Sequence, residues 1–414
     1  MKPGFANAHT LSRKLAEVLS VEKLPMGFLL GAGCPVSVKT QVITAESDDP
    51  TSAPLIPDVA GLTKLIIHEL SSSDSLKVAT QSILDALTMD EIKDPNIEVI
   101  LGFVRTLQSA AGKGEARGLS AITLKEIDEA ICKSIQDKVD KSLPDHTTPY
   151  AHIAKFIAPR RANPVEIFTT NYDLLMEQAL EDASVPYFDG FIGSRHPFFD
   201  LIGIEQDKIP ERWARLWKLH GSINWRQNPD THKVCRTREP EAGQELLIHP
   251  SHRKYDDSRR MPYLALIDRL RSFLRNDSQP VALFIHGFSF SDDHLNAVLE
   301  EGMRANHQSA CFAFQYAELD NYPGAIRLAS RCQNFTVLAR DSEVSRGARR
   351  QWRIPQSSTN SALESVFEWD NEEFSTGQTE VSGTFKLGDF AQFGQYLNSF
   401  SPESDDSKIG VDNE

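Results

Sequence analysis

Five short apolar runs, the first four ending in a polar or glycine-containing tip, constrain this chain most. They are Gly27–Cys34 (GFLLGAGC), Val165–Asp173 (VEIFTTNYD), Leu216–Trp225 (LWKLHGSINW), Val281–Phe290 (VALFIHGFSF) and Ser309–Tyr316 (SACFAFQY). A run without polar alternation reads as a strand buried on both faces, inside a parallel sheet covered by helices. Helical patterns lie between the runs. From about Leu62 to Val139 the apolar spacing is helical, and Ile97, Ile100, Leu101, Val104 and Leu107 share one face. Leu174–Leu180 and the segment DDHLNAVLEEGM continue as helices. Strands alternating with helices predict an α/β fold with a parallel sheet and helices on both faces. In such folds ligands bind at the carboxyl ends of the strands, where the polar tips fall.

The remaining segments organise the chain. Residues 1–340 are expected to form the main domain, with 62–145 a helical insertion. Thr44–Pro54 reads as a loop, and Asp341–Gly383 as a polar, irregular connection. Leu387–Phe400 reads as a terminal amphipathic helix, so 341–400 forms a C-terminal extension, and 401–414 reads as a disordered acidic tail. The start, MKPGFANAHTLSRKLAEVL, reads as an amphipathic helix and not a signal peptide, and no apolar run is long enough to span a bilayer. A cytoplasmic protein with no membrane role is expected.

Composition excludes further classes. The 414 residues carry 44 Lys+Arg against 58 Asp+Glu, a net charge of −14, so direct nucleic-acid binding through the overall field is not expected. The cysteines Cys34, Cys132, Cys235, Cys311 and Cys332 are sparse, odd in number and never spaced CxxC. Neither a disulfide framework nor a four-thiolate zinc site follows, and no metal is expected.

The tips hold the residues able to do chemistry. Gly31-Ala32-Gly33 after a strand would let backbone N–H groups approach a phosphate, or would simply form a tight turn; Val36 stands where a dinucleotide fingerprint has its third glycine. Asn171 could bond a sugar hydroxyl or hold a water, and Asp173 could cap the next helix. His220 sits between a buried strand and a glycine, where it either reaches a ligand or is a satisfied structural histidine. Gly287 permits close backbone approach, and Ser289 can bond a phosphate or ribose. Asp292 or Asp293 is expected to cap the following helix.

Taken in order, GAG at 31–33, IPD at Ile56–Asp58, TTNYD at 169–173, LHGS at 219–222 and HGFSFSDD at 286–293 resemble the sirtuin-like (silent-information-regulator-type) NAD-binding domain. NIEVIL after Asn96 and Lys254-Tyr255 are similar to its prokaryotic defence-associated branch, which commonly acts beside a HerA-type DNA-translocating ATPase. The resemblance covers roughly residues 25–320. It implies a Rossmann-like sheet that binds NAD. Gly31, Ala32 and Gly33 would hold the pyrophosphate, and Asp58 would face the nicotinamide amide. Asn171 and Asp173 would line the ribose–nicotinamide pocket, His220 would be the catalytic histidine, and Gly287 and Ser289 would contact the nucleotide half. IPD is followed here by Val59-Ala60 where deacetylase sirtuins carry Phe-Arg, and Cys34-Pro35 also departs from the usual pattern.

Deacetylase sirtuins frame their peptide groove with two CxxC pairs, and this chain has none. The expected reaction is cleavage of the nicotinamide–ribose bond of NAD with water as acceptor, catalysed by Asn171 and His220 without a metal. As the resemblance implies, such an enzyme would act in antiphage defence by depleting NAD, as a homo-oligomer and with a HerA-type partner. The insertion or the terminal helix around Phe390–Leu397 would supply the assembly surface. The alternative is a catalytically silent NAD or ADP-ribose sensor that serves as a scaffold. A dehydrogenase is disfavoured by the missing third glycine.

Overall fold

The computed structural model describes residues 4–44, 47–228, 231, 233–237, 245–248, 262–355, 361–369 and 380–401. Lys254, Tyr255 and the acidic tail from residue 402 lie outside them.

Six parallel strands form the centre: β1 (Met26–Leu30), β2 (Glu166–Thr169), β3 (Ala214–Lys218), β4 (Ala282–His286), β5 (Ala310–Phe314) and β6 (Phe335–Leu338). Their order across the sheet is β6-β5-β4-β1-β2-β3, and each neighbouring pair is parallel. Read the other way these six run 3-2-1-4-5-6, the doubly wound Rossmann order, which reverses direction between β1 and β4; the short parallel strand Tyr187–Phe188 pairs outside β3. The expected α/β fold is therefore present.

Alternation along the strands divides the core into two layers. Met26, Phe28, Phe284, Phe312 and Phe314 face one layer, with the helices Ala8–Ser20, Pro149–Ile157 and Phe390–Asn398. Leu29, Phe168, Leu283, Ile285 and Ala313 face the other, with the helices Tyr263–Leu274, Asp293–Ala305 and Pro323–Arg331. The insertion is helical, comprising Val59–Ser72, Lys77–Met89, Ile97–Ala111 and Ala121–Val139. Three of these helices start at side-chain caps, Asp58, Asn96 and Ser120.

Several expectations are corrected. The described part of Asp341–Gly383 (341–355, 361–369 and 380–383) is not an irregular connection. Ser342–Ser345 and Ala348–Pro355 form a hairpin that carries the main sheet beyond β6, and Glu380–Phe385 and Phe367–Trp369 extend it. The hairpin turns on Arg346 and Gly347, both at positive φ, as a two-residue turn of this hand requires. Trp352, Phe367 and Phe385 pack at centroid distances of 5.0 to 5.6 Å and hold these polar strands down. Within Thr44–Pro54, read as a loop, Ser47–Pro54 pairs with Lys39–Thr44 as an antiparallel ribbon; the local sequence shows no apolar alternation. The helix at the start is preceded by a strand, Gly4–Asn7, paired with Ala348–Pro355. The terminal helix is used inside the monomer: Phe390, Phe393 and Leu397 are buried, and Tyr150 stacks edge-on against Phe390 at 5.3 Å.

The run Leu216–Trp225 is two strands, not one. β3 ends at Lys218, and Gly221–Gln227 belongs to a second, five-stranded sheet. Gly221 takes φ +92°, a conformation that glycine adopts without steric cost. His220 stands at this break.

Candidate active site

β4, β1, β2 and β3 lie side by side and run in one direction, so their carboxyl ends share one edge. Each tip binds its neighbour. After β1, the Gly31 amide donates to His286 O at 2.8 Å and the Gly33 amide to Gly287 O at 2.9 Å. After β2, Thr169 Oγ1 donates to Leu30 O at 2.9 Å, and Asn171 Nδ2 donates to Gly31 O at 3.1 Å. Asn171 is only 8% exposed. After β3, Ser222 Oγ donates to Tyr172 O at 3.4 Å.

His220 reaches furthest. Its Nε2 lies 3.3 Å from Asp292 Oδ2, in the loop after β4. Two strands, β1 and β2, separate β3 from β4. At roughly 4.8 Å per strand the pair bridges about 14 Å of sheet edge. β1 and β2, whose tips carry Gly31 and Asn171, lie between the two strands so joined. The imidazole is largely buried, and Nδ1 has no hydrogen-bond partner among the described residues.

Beneath the tips lies a buried polar group. Lys218 is 1% exposed, its Nζ lies 2.9 Å from Glu177 Oε1, and it also donates to Asp173 O. Asp173 Oδ1 accepts from the Leu175 amide at 3.1 Å, although the N-cap position of the helix Leu175–Asp182 is Leu174, which makes no side-chain cap bond. Burial pushes the Asp173 and Glu177 carboxyls up, and the Lys218 ammonium draws both back down. Burial also raises the Tyr150 phenol and the Cys34 thiol well above their ordinary values. The Tyr150 hydroxyl has no partner of good geometry among the described residues, and Asn171 is a polar neighbour.

The other expected residues divide. Gly287, at φ +63°, is part of the cluster. Gly31 and Gly33 are too, but they are packed on backbone: a methyl carbon at residue 31 would sit 2.4 Å from Gly287 O, and one at residue 33 would sit 2.8 Å from Gly287 Cα. Ala32 stands just before the short helix Gly33–Val36. Asp58 is exposed and makes a local contact, capping the helix Val59–Ser72 through the Gly61 amide at 2.7 Å. Ser289 is exposed and bonds Ser291 Oγ at 3.1 Å. No group of three or more His, Cys, Asp or Glu side chains able to hold a metal occurs among the described residues, and none of their helices is long and apolar enough to cross a membrane.

Sequence reasoning missed Lys218, Glu177 and Tyr150, and read Asp292 only as a cap. The signal for Lys218 was present: a lysine inside an otherwise apolar buried strand needs a buried counter-charge.

Residues 165–335 match the family model of the SIR2-like domain. The matched stretch contains Asn171, Asp173, His220, Gly287 and Ser289, and starts after Gly31–Gly33 and Asp58. No curated protein matches the chain. Among solved structures, a Sir2 enzyme is similar at 14% identity over 74% of this chain and 85% of the other, with a TM-score of 0.35. ADP-ribose complexes of two point mutants of a Sir2 homologue are similar at 10% identity over 72% and 83%, with a TM-score of 0.33. At these scores the likeness fixes no residue and no reaction for this chain.

Proposed function

We propose that the protein hydrolyses NAD at the nicotinamide–ribose bond, giving nicotinamide, ADP-ribose and a proton. The observation that carries this reading is the His220–Asp292 bridge, which joins the ends of β3 and β4 across β1 and β2. The reading is supported by the pairing of β3, whose tip carries His220, with β2, whose tip carries Asn171, and by the match of residues 165–335 to the SIR2-like domain.

The chemistry asks little of a general acid. The nicotinamide ring of NAD is already cationic. When the C1′–N1 bond breaks, its electron pair returns to the ring nitrogen and neutralises it. Positive charge then develops on the ribose, as in an oxocarbenium ion. The buried acids Asp173 and Glu177, raised by burial and drawn back by the Lys218 ammonium, adjoin the Asn171 loop. Asn171 holds the ribose hydroxyls or the attacking water, and His220 takes the proton as the new C1′–O bond forms. Gly31, Ala32, Gly33, Gly287 and Ser289 would lie along the nucleotide, and Asp58 would lie near the nicotinamide amide.

The proposal extends to NAD depletion in antiphage defence, with a homo-oligomer and a HerA-type ATPase as controls; these rest on the sequence resemblance. Val78 and Met89, 77% and 80% exposed on one helix of the insertion, suit a surface between copies. The test is incubation of the purified chain with NAD, with and without such an ATPase and DNA, followed by chromatography. Nicotinamide and ADP-ribose in equal amounts are expected. NAD bound but intact under every condition would favour the silent sensor.

A further inference from the structure

We infer that Asp292 is a positioning residue for His220: it holds the imidazole as the Nε2–H tautomer and leaves the Nδ1 lone pair as the base. This rests on the hydrolase reading for its catalytic consequence, but not for the tautomer itself.

The carboxylate is fixed by its own element. Asp292 is the N-cap of the helix Asp293–Ala305, and its Oδ1 accepts from the His294 amide at 2.9 Å and the Leu295 amide at 3.1 Å. Those bonds set the plane of the carboxyl group, and the second oxygen, Oδ2, is the one turned to His220. Asp292 as a whole is 8% exposed.

A carboxylate only accepts, so the ring nitrogen facing it must carry a proton. A neutral imidazole has one N–H, and the bond made by one nitrogen decides the state of the other. With the proton on Nε2, Nδ1 is left with its lone pair. Nδ1 is buried and has no partner among the described residues. It is the ring atom with basic capacity to spare, and it sits at the tip of β3 beside the Asn171 loop. The 3.3 Å separation is long for a charge-assisted bond, and such contacts tighten when substrate is bound.

The cap and the tautomer can be separated. Asn caps a helix as well as Asp does. In Asp292→Asn the amide oxygen keeps the cap, and the amide nitrogen takes the place of Oδ2. That nitrogen donates, so it needs an unprotonated Nε2 and drives the proton to Nδ1, where it blocks the base. A residue with a purely structural role would not register this change.

The experiment uses the full chain labelled with ¹⁵N-histidine in mildly alkaline buffer, with His220→Gln to assign the resonance. Long-range ¹⁵N–¹H spectra report the tautomer, and NAD cleavage gives kcat and KM. Wild type is expected as Nε2–H and Asp292→Asn as Nδ1–H, with kcat lower by about 10²–10⁴-fold. KM for NAD should stay within about threefold, and the melting temperature should be unchanged. An Nδ1–H tautomer in wild type, or wild-type kcat in a folded Asp292→Asn, overturns the inference. A wild-type chain with the Nε2–H tautomer that cleaves no NAD overturns the hydrolase reading and leaves the tautomer assignment standing.

Discussion

The amide of Gly33 donates to the carbonyl of Gly287 across 2.9 Å, joining the loops after β1 and β4 backbone to backbone. This contact falls where the strand order reverses, the place at which doubly wound sheets bind ligands. The glycines are therefore needed first for the fold. Gly31→Ala and Gly33→Val would each drive a side chain into the Gly287 backbone. Overpacking of this kind costs about 1–3 kcal/mol, and these positions lack a flexible neighbour able to give way. Urea unfolding should show that loss for both variants in the absence of any nucleotide. Unchanged unfolding midpoints combined with weakened NAD binding would restore the simpler role of these glycines as a phosphate cradle alone.

Removing the chemistry should leave the fold intact. His220→Ala deletes a side chain that lies outside both apolar layers. Asn171→Ala removes one hydrogen bond to Gly31 O, an oxygen that also accepts from the Cys34 amide at 3.0 Å. Its stability cost should be about 1 kcal/mol. Nicotinamide release should fall by about 10²–10⁴-fold in His220→Ala, and by on the order of 100-fold in Asn171→Ala through misplaced ribose or water. The check is turnover measured beside NAD binding and thermal melting. A folded His220→Ala that binds NAD and releases nicotinamide at the wild-type rate would show that another group is the base.

Where the residues of the candidate site lie was legible in part, because polar residues at the ends of apolar runs fall at strand tips. Asn171 and His220 follow from that rule. What could not be read was which atom each tip would touch. Asp292 precedes a helix and so reads as a cap; that its second oxygen lies 3.3 Å from His220, across two intervening strands, is a long-range contact no local pattern encodes. The run Leu216–Trp225 looks continuous, since nothing local distinguishes a strand that changes sheets at Gly221 from one that does not. Ser342–Ser345 and Ala348–Pro355 were invisible to an apolar count. Their burial depends on Trp352 meeting Phe367 and Phe385, which come later in the chain.

The Lys218–Glu177 pair should behave as a compensated buried charge. Lys218→Met leaves Glu177 and Asp173 buried without their cation, which typically costs about 3–5 kcal/mol. Replacing both partners, Lys218→Met with Glu177→Leu, removes the pair together and should recover a large part of that loss. Unfolding midpoints of the two single variants and the double variant form the cycle that measures the coupling. A double variant no more stable than Lys218→Met would mean that the lysine acts mainly through its bond to Asp173 O.

His286 should make the protein sensitive to acid. The ring is fully buried, 4.4 Å from Phe314 and 4.0 Å from Phe393 between centroids, and neither nitrogen has a partner among the described residues. Burial holds its pKa well below the ordinary histidine value, so the folded protein keeps the ring neutral. The unfolded chain protonates it below about pH 6.5. Unfolding then takes up a proton, and stability falls as the pH drops below that value, continuing until the folded protein's own pKa is reached. The slope is about 1.4 kcal/mol per pH unit for one such group. His286→Phe keeps an aromatic ring in the cluster and removes the titration. Its unfolding free energy should therefore lose less than that of wild type on acidification, and the difference between the two should change by about 1.4 kcal/mol per pH unit from about pH 6 to 5. A difference that stays flat over that range would mean that the ring finds a proton-accepting partner in the folded protein.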